Sequence, residues 1–394
     1  MISRGKRLGG IAAELFRFQG LRGFSTFAKA LTARALWGIE FEVFLMQGLE
    51  NRPVRTWRDA ISYYSELEPG LRAVNWRGKG KALTVDKLAT AERLAEAGLP
   101  GPTIVGVVGR DRVAFPSNGI APSLGTVEAL LADLENWPDD LFVKPATGWR
   151  GEGALGPARS GNDWRVGDRI FDDRAFAEFL LEQAPPSGLL VQRRVRSHRD
   201  LDPIGGKLGL GTFRLHTALT SSGPRFLVGL AKIMGSAGLV DNFSGGKFGN
   251  LLASIDTDSG ELRKVYGRSD GQHFSMNEVE RHPVTGARLN GFLVPLWPET
   301  IALAKAVTEA FPEAPLIAMD IAITDDGPVV IEVQSDWAGN IAQRFMGRGM
   351  KSILRELIPE LPIESELKAE AAEIFGLNQS RMKRKDAPSA PRIS

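Results

Sequence analysis

The segment Leu316 to Gln334, LIAMDIAITDDGPVVIEVQ, constrains the fold of this chain more than any other. Two alternating apolar runs flank Asp325-Asp326-Gly327, the pattern of an antiparallel hairpin. Taken as a three-residue turn, Asp325-Asp326-Gly327 opposes Thr324 to Pro328 and so Asp320 to Glu332. Ile317, Met319, Ile321, Ile323, Val329, Ile331 and Val333 then share an apolar face. Asp320, Glu332 and Gln334 share the other with Ala318, Ala322 and Thr324. An apolar face fixes the register, because a one-residue slip turns every side chain over. Opposed residues have Cβ atoms about 5 Å apart, so two carboxylates there repel unless a cation stands between them. Asp, Glu and an amide oxygen are hard donors that suit Mg²⁺. The plain alternatives are a solvated acidic face or a nearby Lys or Arg partner. Small Ala318 and Ala322 leave room above the pair.

A second segment points to phosphate. Leu141-Phe142-Val143-Lys144-Pro145 is an apolar run that ends in Lys and is stopped by Pro. Gly148, Gly151 and Gly153 follow. Such a loop lets backbone N–H groups approach phosphate oxygens while Lys144 adds a point charge. No Gly-Lys-Ser/Thr closes it, so it is not a P-loop. Gly151, Gly153 and Gly156 match G-x-G-x-x-G, but Pro157 follows where a dinucleotide fold needs a helix.

Elsewhere Thr212 to Thr220 alternates, with Arg214 and His216 on one face. The partner run Phe226 to Ile233 carries Lys232, whose face the turn leaves open. LLVQRRV (189–195) is a strand running into two arginines. Asp241-Asn242 precedes Gly245-Gly246 in a polar turn. The four histidines lack zinc-ligand spacing, and there is no cysteine at all. Disulfides, thiolate metal sites and a cysteine nucleophile are therefore excluded, and no G-x-S-x-G elbow appears.

At 43% hydrophobic and 24% charged, the 394 residues can bury more than one core. A net charge of +2 argues against a nucleic-acid coat. Nothing reads as a signal peptide or a membrane span, which suits a cytoplasmic protein. Residues 1–80 nevertheless hold thirteen Lys/Arg against seven Asp/Glu. Arg381, Lys383, Arg384 and Lys385 cluster near the C-terminus. Solvated surface and a disordered tail is the reading adopted for both; a patch for an acidic partner or a membrane surface is the other. Apolar spacing predicts helices over 8–68, 86–97, 124–134, 298–311 and 343–357, a linker at 76–81, and mainly antiparallel strands over 189–333. The class is α+β.

Taken together, VDKLATAERLAEAGLPGP, FVKP with its glycine loop, and the Asp…Glu-x-Gln hairpin resemble the ATP-grasp superfamily over roughly residues 80–360. VDNFSGGKFGNLLASIDTDSG, HPVTGARLNGFLVPLWPE and IEVQSD resemble its sugar-transfer-associated branch. Ligases of the α-L-glutamate and D-alanine–D-alanine types are relatives in this picture. The resemblance implies two α+β subdomains clasping ATP. Lys87 and Lys144 would contact phosphates beneath a loop spanning Gly148, Gly151 and Gly153. Gln192, Arg193 and Val195 would form the adenine hinge, with Asn242 near substrate. Asp320, Glu332 and Gln334 would hold two Mg²⁺ ions, or Mn²⁺ in their place, and Arg214 and Lys232 would serve catalysis. Gln334 departs from the usual Asn by one methylene. The implied division is an accessory helical region (1–78), N-terminal ATP-grasp subdomains (79–190), a C-terminal subdomain with the metal (191–362) and a polar, partly disordered tail (363–394).

The activity so implied is ligation of a small-molecule carboxylate to a nucleophilic acceptor, commonly an amine, through an acyl phosphate. Two rivals stand beside it: a kinase of sugar or polyol hydroxyls, and a non-catalytic ATP-binding scaffold among glycan-biosynthesis proteins. In the scaffold the basic N-terminal region would dock to partners or touch a membrane.

Overall fold

The computed structural model describes residues 4–76, 80–109, 121–148, 151–243, 246, 248–269, 272–273, 276–335, 339–346 and 349–377. The chain opens with helices α1 (Arg4–Gln19), α2 (Leu21–Trp37), α3 (Phe41–Met46), α4 (Glu68–Leu71), α5 (Gly80–Val85) and α6 (Lys87–Glu96). Its middle runs β1 (Ile104–Val108), β2 (Ser123–Leu124), α7 (Val127–Leu134), β3 (Leu141–Pro145), β4 (Ala158–Ser160), β5 (Asp163–Val166), β6 (Arg169–Phe171), α8 (Asp173–Gln183) and β7 (Leu189–Arg193). There follow β8 (Thr212–Thr220), β9 (Gly223–Ile233), β10 (Leu251–Ile255), β11 (Leu262–Gly267), β12 (Asn277–Glu278), α9 (Trp297–Ala310), β13 (Leu316–Thr324) and β14 (Gly327–Gln334). Helices α10 (Gly339–Phe345), α11 (Met350–Leu357) and α12 (Ser365–Ile374) complete it.

The strands form a four-stranded sheet ordered β2-β1-β7-β3, a three-stranded β4-β5-β6 sheet and a seven-stranded β12-β11-β10-β9-β8-β13-β14 sheet. The seven-stranded sheet is antiparallel throughout, as the alternation over 189–333 predicts. One face of it packs on α9, where Phe213, Leu215, Ile317, Met319 and Ile321 meet Trp297, Ala304 and Val307. Helices α7 and α8 cover the four-stranded sheet through Leu130, Leu134, Phe176 and Leu180, against Val143 and Val191.

Three expectations change. Leu124 is not helical: it pairs in β2, and α7 begins only after Thr126, whose hydroxyl accepts from Ala129 N. The helix predicted over 343–357 is two helices, α10 ending at Phe345 and α11 starting at Met350 after Gly349. Residues expected as the start of a polar tail form α12, which buries Ala371, with Phe375 and Leu377 beyond it in the core. The basic cluster 381–385 and the linker residues 77–79 lie outside the described residues.

The N-terminal region does not stand apart from the rest. Ile61, Leu67, Leu71 and Val74 share one core with Leu316 and Ala318 of β13 and with α11 and α12. Buried Asn75 donates to Leu316 O (2.7 Å) and Ser335 O (2.8 Å) and accepts from Leu316 N (3.0 Å). It thus clamps the first residue of β13 to the residue following β14. A cut at residue 78 would remove this clamp, so deleting 1–78 damages the hairpin itself.

Candidate active site

The hairpin reaches its expected pairing by an unexpected route. Thr324 pairs with Gly327, not Pro328, so Asp325-Asp326 is a two-residue turn. Gly327 takes φ +125°, which a side chain would strain. Left uncorrected, this one-residue shift would set Asp320 against Ile331. A β-bulge absorbs it: Ile321 pairs with Val330 and Asp320 with Glu332, leaving Ile331 as the extra residue. The acids are opposed as predicted, and Ile317, Met319, Ile321, Ile323 and Val333 share the core as predicted, but the rest of β14 departs from the expected face. Val330 and Val333 enter the core. Val329 and Ile331 do not, and Ile331 instead lines a cavity.

The next strand supplies the cations. Arg214 lies opposite Asp320 on β8 and grips it with Nε and Nη2, both at 2.8 Å. Lys232, paired with Thr212 on β9, shares that face and donates to Asp320 Oδ2 at 2.9 Å. The same ammonium reaches Asp241 Oδ1 at 3.0 Å, and the Thr212 hydroxyl donates to the other Asp241 oxygen. Burial alone would push Asp320 up. The two cations overcome it and hold the carboxyl well below its usual range. Burial likewise works against the charges of Arg214 and Lys232, and the facing carboxylates raise both. Asp241 is the site residue that the sequence reading missed. Its only signal was its place beside Asn242, and its role needs the β8–β9 register, which the turn left open.

His216, two residues along β8 and fully buried, is pushed down to about 3 by burial and by Arg214. In the unfolded chain it titrates near about 6.5. Below that pH the unfolded chain binds a proton that the folded one refuses, so stability falls as pH falls. The expected loss is about 1.4 kcal/mol per pH unit until the folded value is reached. Urea midpoints at neutral and mildly acidic pH should separate accordingly. His216→Gln should shrink the gap; an equal gap in the variant would place the acid sensitivity elsewhere.

On the other side of the acid pair stand two lysines. Asp86 caps α6 through Leu88 N and Ala89 N, and Lys87 N donates to Ala146 O at 2.9 Å. The helix start is thereby fixed beside the glycine loop, and Lys87 Nζ donates to Gly148 O at 2.8 Å. Buried Lys144 ends β3 and is brought down to about 8 by burial, with Glu332 and then Asp320 opposing the fall. A cavity of about 370 Å³ opens here, lined by Lys87, Lys144, Gln192, Glu332, Ile331 and Leu94, among others. Gly151 turns at φ +71° against Val240, where a Cβ would lie 3.0 Å from the valine. That contact brings the loop toward Asp241. Trp149 and Arg150 lie outside the described residues. No helix follows Gly156, as β4 is the next element.

The structure therefore gathers Lys87, Lys144, Gln192 and Glu332 around the cavity, with Gly148 tied to Lys87, and Arg214, Lys232 and Asp320 in one ion-paired group. Six predicted residues sit outside both: Gln334, bonded to Glu332, Gly151 and Gly153 on the glycine loop, and Arg193, Val195 and Asn242. Arg193 points its side chain to solvent, and its N–H is taken by Thr103 O (2.9 Å). The N–H of Arg194 is taken by Asp140 O (3.0 Å), and half-buried Val195 follows the strand. Asn242 is held by its carbonyl, which accepts from Asn250 Nδ2 at 3.2 Å.

The sequence profile described as sugar-transfer-associated ATP-grasp matches residues 72–357. The chain belongs to this family. Its fold is accordingly the α+β ATP-grasp fold. Solved structures resemble it at low identity. D-alanine–D-alanine ligase from Helicobacter pylori is 13% identical with TM-score 0.40, over 72% of this chain and 63% of that one. L-amino acid ligase from Bacillus licheniformis is 13% identical with TM-score 0.35, over 74% and 50%. An ADP complex of N5-carboxyaminoimidazole ribonucleotide synthetase is 15% identical with TM-score 0.37, over 67% and 50%. The chain thus spans half to under two-thirds of the length of these three solved chains. No curated protein matches it significantly.

An ATP-grasp fold implies a divalent cation at the hairpin acids, and the donors here fit one with a single adjustment. Glu332 is partnered by an amide, not a cation: Gln334 Nε2 donates to its Oε2 at 2.8 Å. Turning that amide presents Oε1 beside the carboxylate. Asp320 accepts three hydrogen bonds from Arg214 and Lys232, which leaves about one of its four lone-pair sites. Among the described residues no group of three or more His, Cys, Asp or Glu forms a protein cage. Mg²⁺ takes one or two carboxylates and completes its shell from phosphates and water, so Glu332, Gln334 and Asp320 would suffice to hold it.

Proposed function

We infer that this chain is an ATP- and Mg²⁺-dependent ligase that activates a small-molecule carboxylate and passes the acyl group to an amine or related nucleophile. The family name makes assembly of cell-surface glycans its natural setting. The observation that carries this reading is the opposed Asp320–Glu332 pair, with Arg214 and Lys232 on Asp320 and with Lys87 and Lys144 lining an open cavity beside Glu332. With Asp241, three carboxylates face four cations, leaving one positive charge in excess for a polyanionic substrate.

In this scheme Lys87, Lys144 and the loop amides steady the phosphates, and Arg214 and Lys232 neutralise charge growing on the transferred phosphoryl group. Glu332, Gln334 and Asp320 would hold Mg²⁺, which would supply further neutralisation of the phosphates. A carboxylate oxygen of the substrate attacks the γ-phosphorus as the β–γ bridging bond breaks, giving an acyl phosphate and ADP. The acceptor nitrogen then attacks the acyl carbon, loses a proton and expels phosphate. No protein nucleophile is required, so positioning and electrostatics supply the rate.

The test is ADP release from Mg·ATP and pooled metabolites, with and without hydroxylamine. Hydroxamate formation that disappears in Glu332→Ala supports the ligase. ADP without hydroxamate supports a kinase and sinks the ligase reading. One observation favours a non-catalytic scaffold instead: Gln334 turns its N–H₂ toward Glu332, leaving the usual Asn position without an oxygen facing the cation. ATP binding without turnover, together with turnover in Gln334→Asn, would establish that reading.

Lys144 gives the activity a pH limb. Because burial brings it down to about 8, the free protein loses this charge as pH rises through that value. kcat/KM for ATP should fall above about pH 8, since that ratio reports the free enzyme. Lys144→Arg, charged throughout, should remove the fall; an unchanged alkaline limb would assign it to another group.

A further inference from the structure

The pair α1–α2 divides its large apolar side chains between the core and solvent. The buried stripe of α2 is Gly23, Thr26, Ala30 and Ala33, all small. At Gly23 a Cβ would lie 2.2 Å from Leu15 O, so the two helices touch backbone to side-chain stripe. Ile11 and Leu15 of α1 and Phe27 and Trp37 of α2 pack inward, but other large apolar residues point the other way. Leu21 is 87% exposed, Phe24 72%, Leu36 63% and Phe16, on α1, 60%, with Leu31 and Leu8 exposed beside them. Leu21, Phe24, Ala28, Leu31 and Ala35 follow one another by steps of three and four. They therefore form a single stripe opposite the buried one. An ordinary surface helix turns its large apolar side chains to the core, and an exposed apolar patch of this kind marks an interaction surface.

Charge selects the occupant. From residue 4 to residue 37 the sequence holds Arg4, Lys6, Arg7, Arg17, Arg22, Lys29 and Arg34 against one acid, Glu14. Glu14 is buried and accepts the N–H of His273 at 2.7 Å, so it does not offset the surface. Arg17, Arg22, Lys29 and Arg34 are exposed. A second copy of this chain would bring the same cations to the same face. The apolar side chains also stand clear of their neighbours instead of lining a groove, which suits insertion among acyl chains. We propose that α1 and α2 dock this protein on an anionic lipid bilayer, with Phe16, Leu21, Phe24 and Leu31 entering the interface and the basic side chains meeting headgroup phosphates. No helix among the described residues is long and apolar enough to cross a membrane, so the contact is peripheral. The composition favoured a solvated surface for this region; the outward placement of Phe16, Leu21, Phe24 and Leu31 is what changes the reading.

The body of the protein holds α2 through Ala30, Ala33, Ile11, Leu15 and Trp57, so the outer stripe can be altered without touching that core. The experiment is flotation of the full chain with vesicles of phosphatidylglycerol and phosphatidylcholine in equal parts, against phosphatidylcholine alone. Leu21→Ser/Phe24→Ser/Leu31→Ser and Arg17→Glu/Arg22→Glu are compared at low and high salt. The expected result is binding to the anionic vesicles only, weakened by salt and reduced about tenfold or more in either variant, with melting temperature and ATP binding unchanged. Failure of the unaltered chain to float overturns the proposal. So does loss in the charge variant alone, which would mean surface attraction without insertion. A chain that is dimeric in solution, fails to float and becomes monomeric in the serine variant would assign the stripe to a second copy.

Discussion

Replacing Asp320 with alanine should destabilise the protein by about 3–5 kcal/mol, the usual result of removing one partner from a buried ion pair. Arg214 holds both its carboxylate oxygens, and Lys232 shares one of them. Lys232 retains Asp241 when Asp320 is gone. Arg214 retains no such neighbour at contact distance among the described residues, and its guanidinium does not shed its proton. The loss therefore falls mainly on Arg214, and Asp320→Ala/Arg214→Met should recover much of the stability by removing the stranded charge. Urea unfolding at neutral pH measures both. A loss under about 1 kcal/mol, the level of an exposed pair, would mean water reaches this cluster and would sink the argument. Acid offers an independent check. Because the folded carboxyl is depressed, its contribution is fully present above about pH 4 and disappears only below it. The milder acid loss tied to His216 should precede it.

The same residues show how far a sequence carries such a site. Asp320, Glu332, Lys144 and the glycine loop were legible because each lies in a short segment whose pattern fixes its own geometry: alternation around a turn, or a strand stopped by proline. The hairpin shows the limit even there. Turn length and bulge position each shift the pairing by one residue, and here they cancel, so the acids fall where the alternation puts them while Val329 and Ile331 do not. What joins separate segments was not legible. The Arg214–Asp320 grip depends on β8 lying beside β13, about a hundred residues away in sequence. The position of Lys232 depends on the turn that sets the β8–β9 register. Asp241 enters through that register alone. The N-terminal helices were visible as helices, yet periodicity cannot say which stripe is buried when the inner residues are small. Gly23, Thr26, Ala30 and Ala33 look like a polar-to-neutral face until α1 is seen against them.

Glu332 should behave in the opposite way to Asp320, and the contrast separates structure from chemistry. Its partner is the Gln334 amide, and it faces the cavity instead of a guanidinium. Glu332→Gln keeps the shape and strands no guanidinium; buried Lys144, which loses the charge of Glu332, can shed its proton, so stability should change by less than about 1 kcal/mol. Activity should fall by about 10²–10³-fold, the scale for losing one preorganised electrostatic group in an active site. The fall should appear in kcat as well as in kcat/KM, because the charge it helps to neutralise grows during phosphoryl transfer. Excess Mg²⁺ should restore part of the activity if the loss lies in cation affinity, and ATP binding measured without the metal should hardly change. If Glu332→Gln unfolds as readily as Asp320→Ala, the acid pair is a structural brace and the cavity holds no catalytic centre. If both variants are stable and fully active, phosphoryl transfer does not pass through this hairpin. The proposal requires the third pattern: one acid that holds the sheet together, and its opposite number, about 5 Å across the ladder, that serves the reaction.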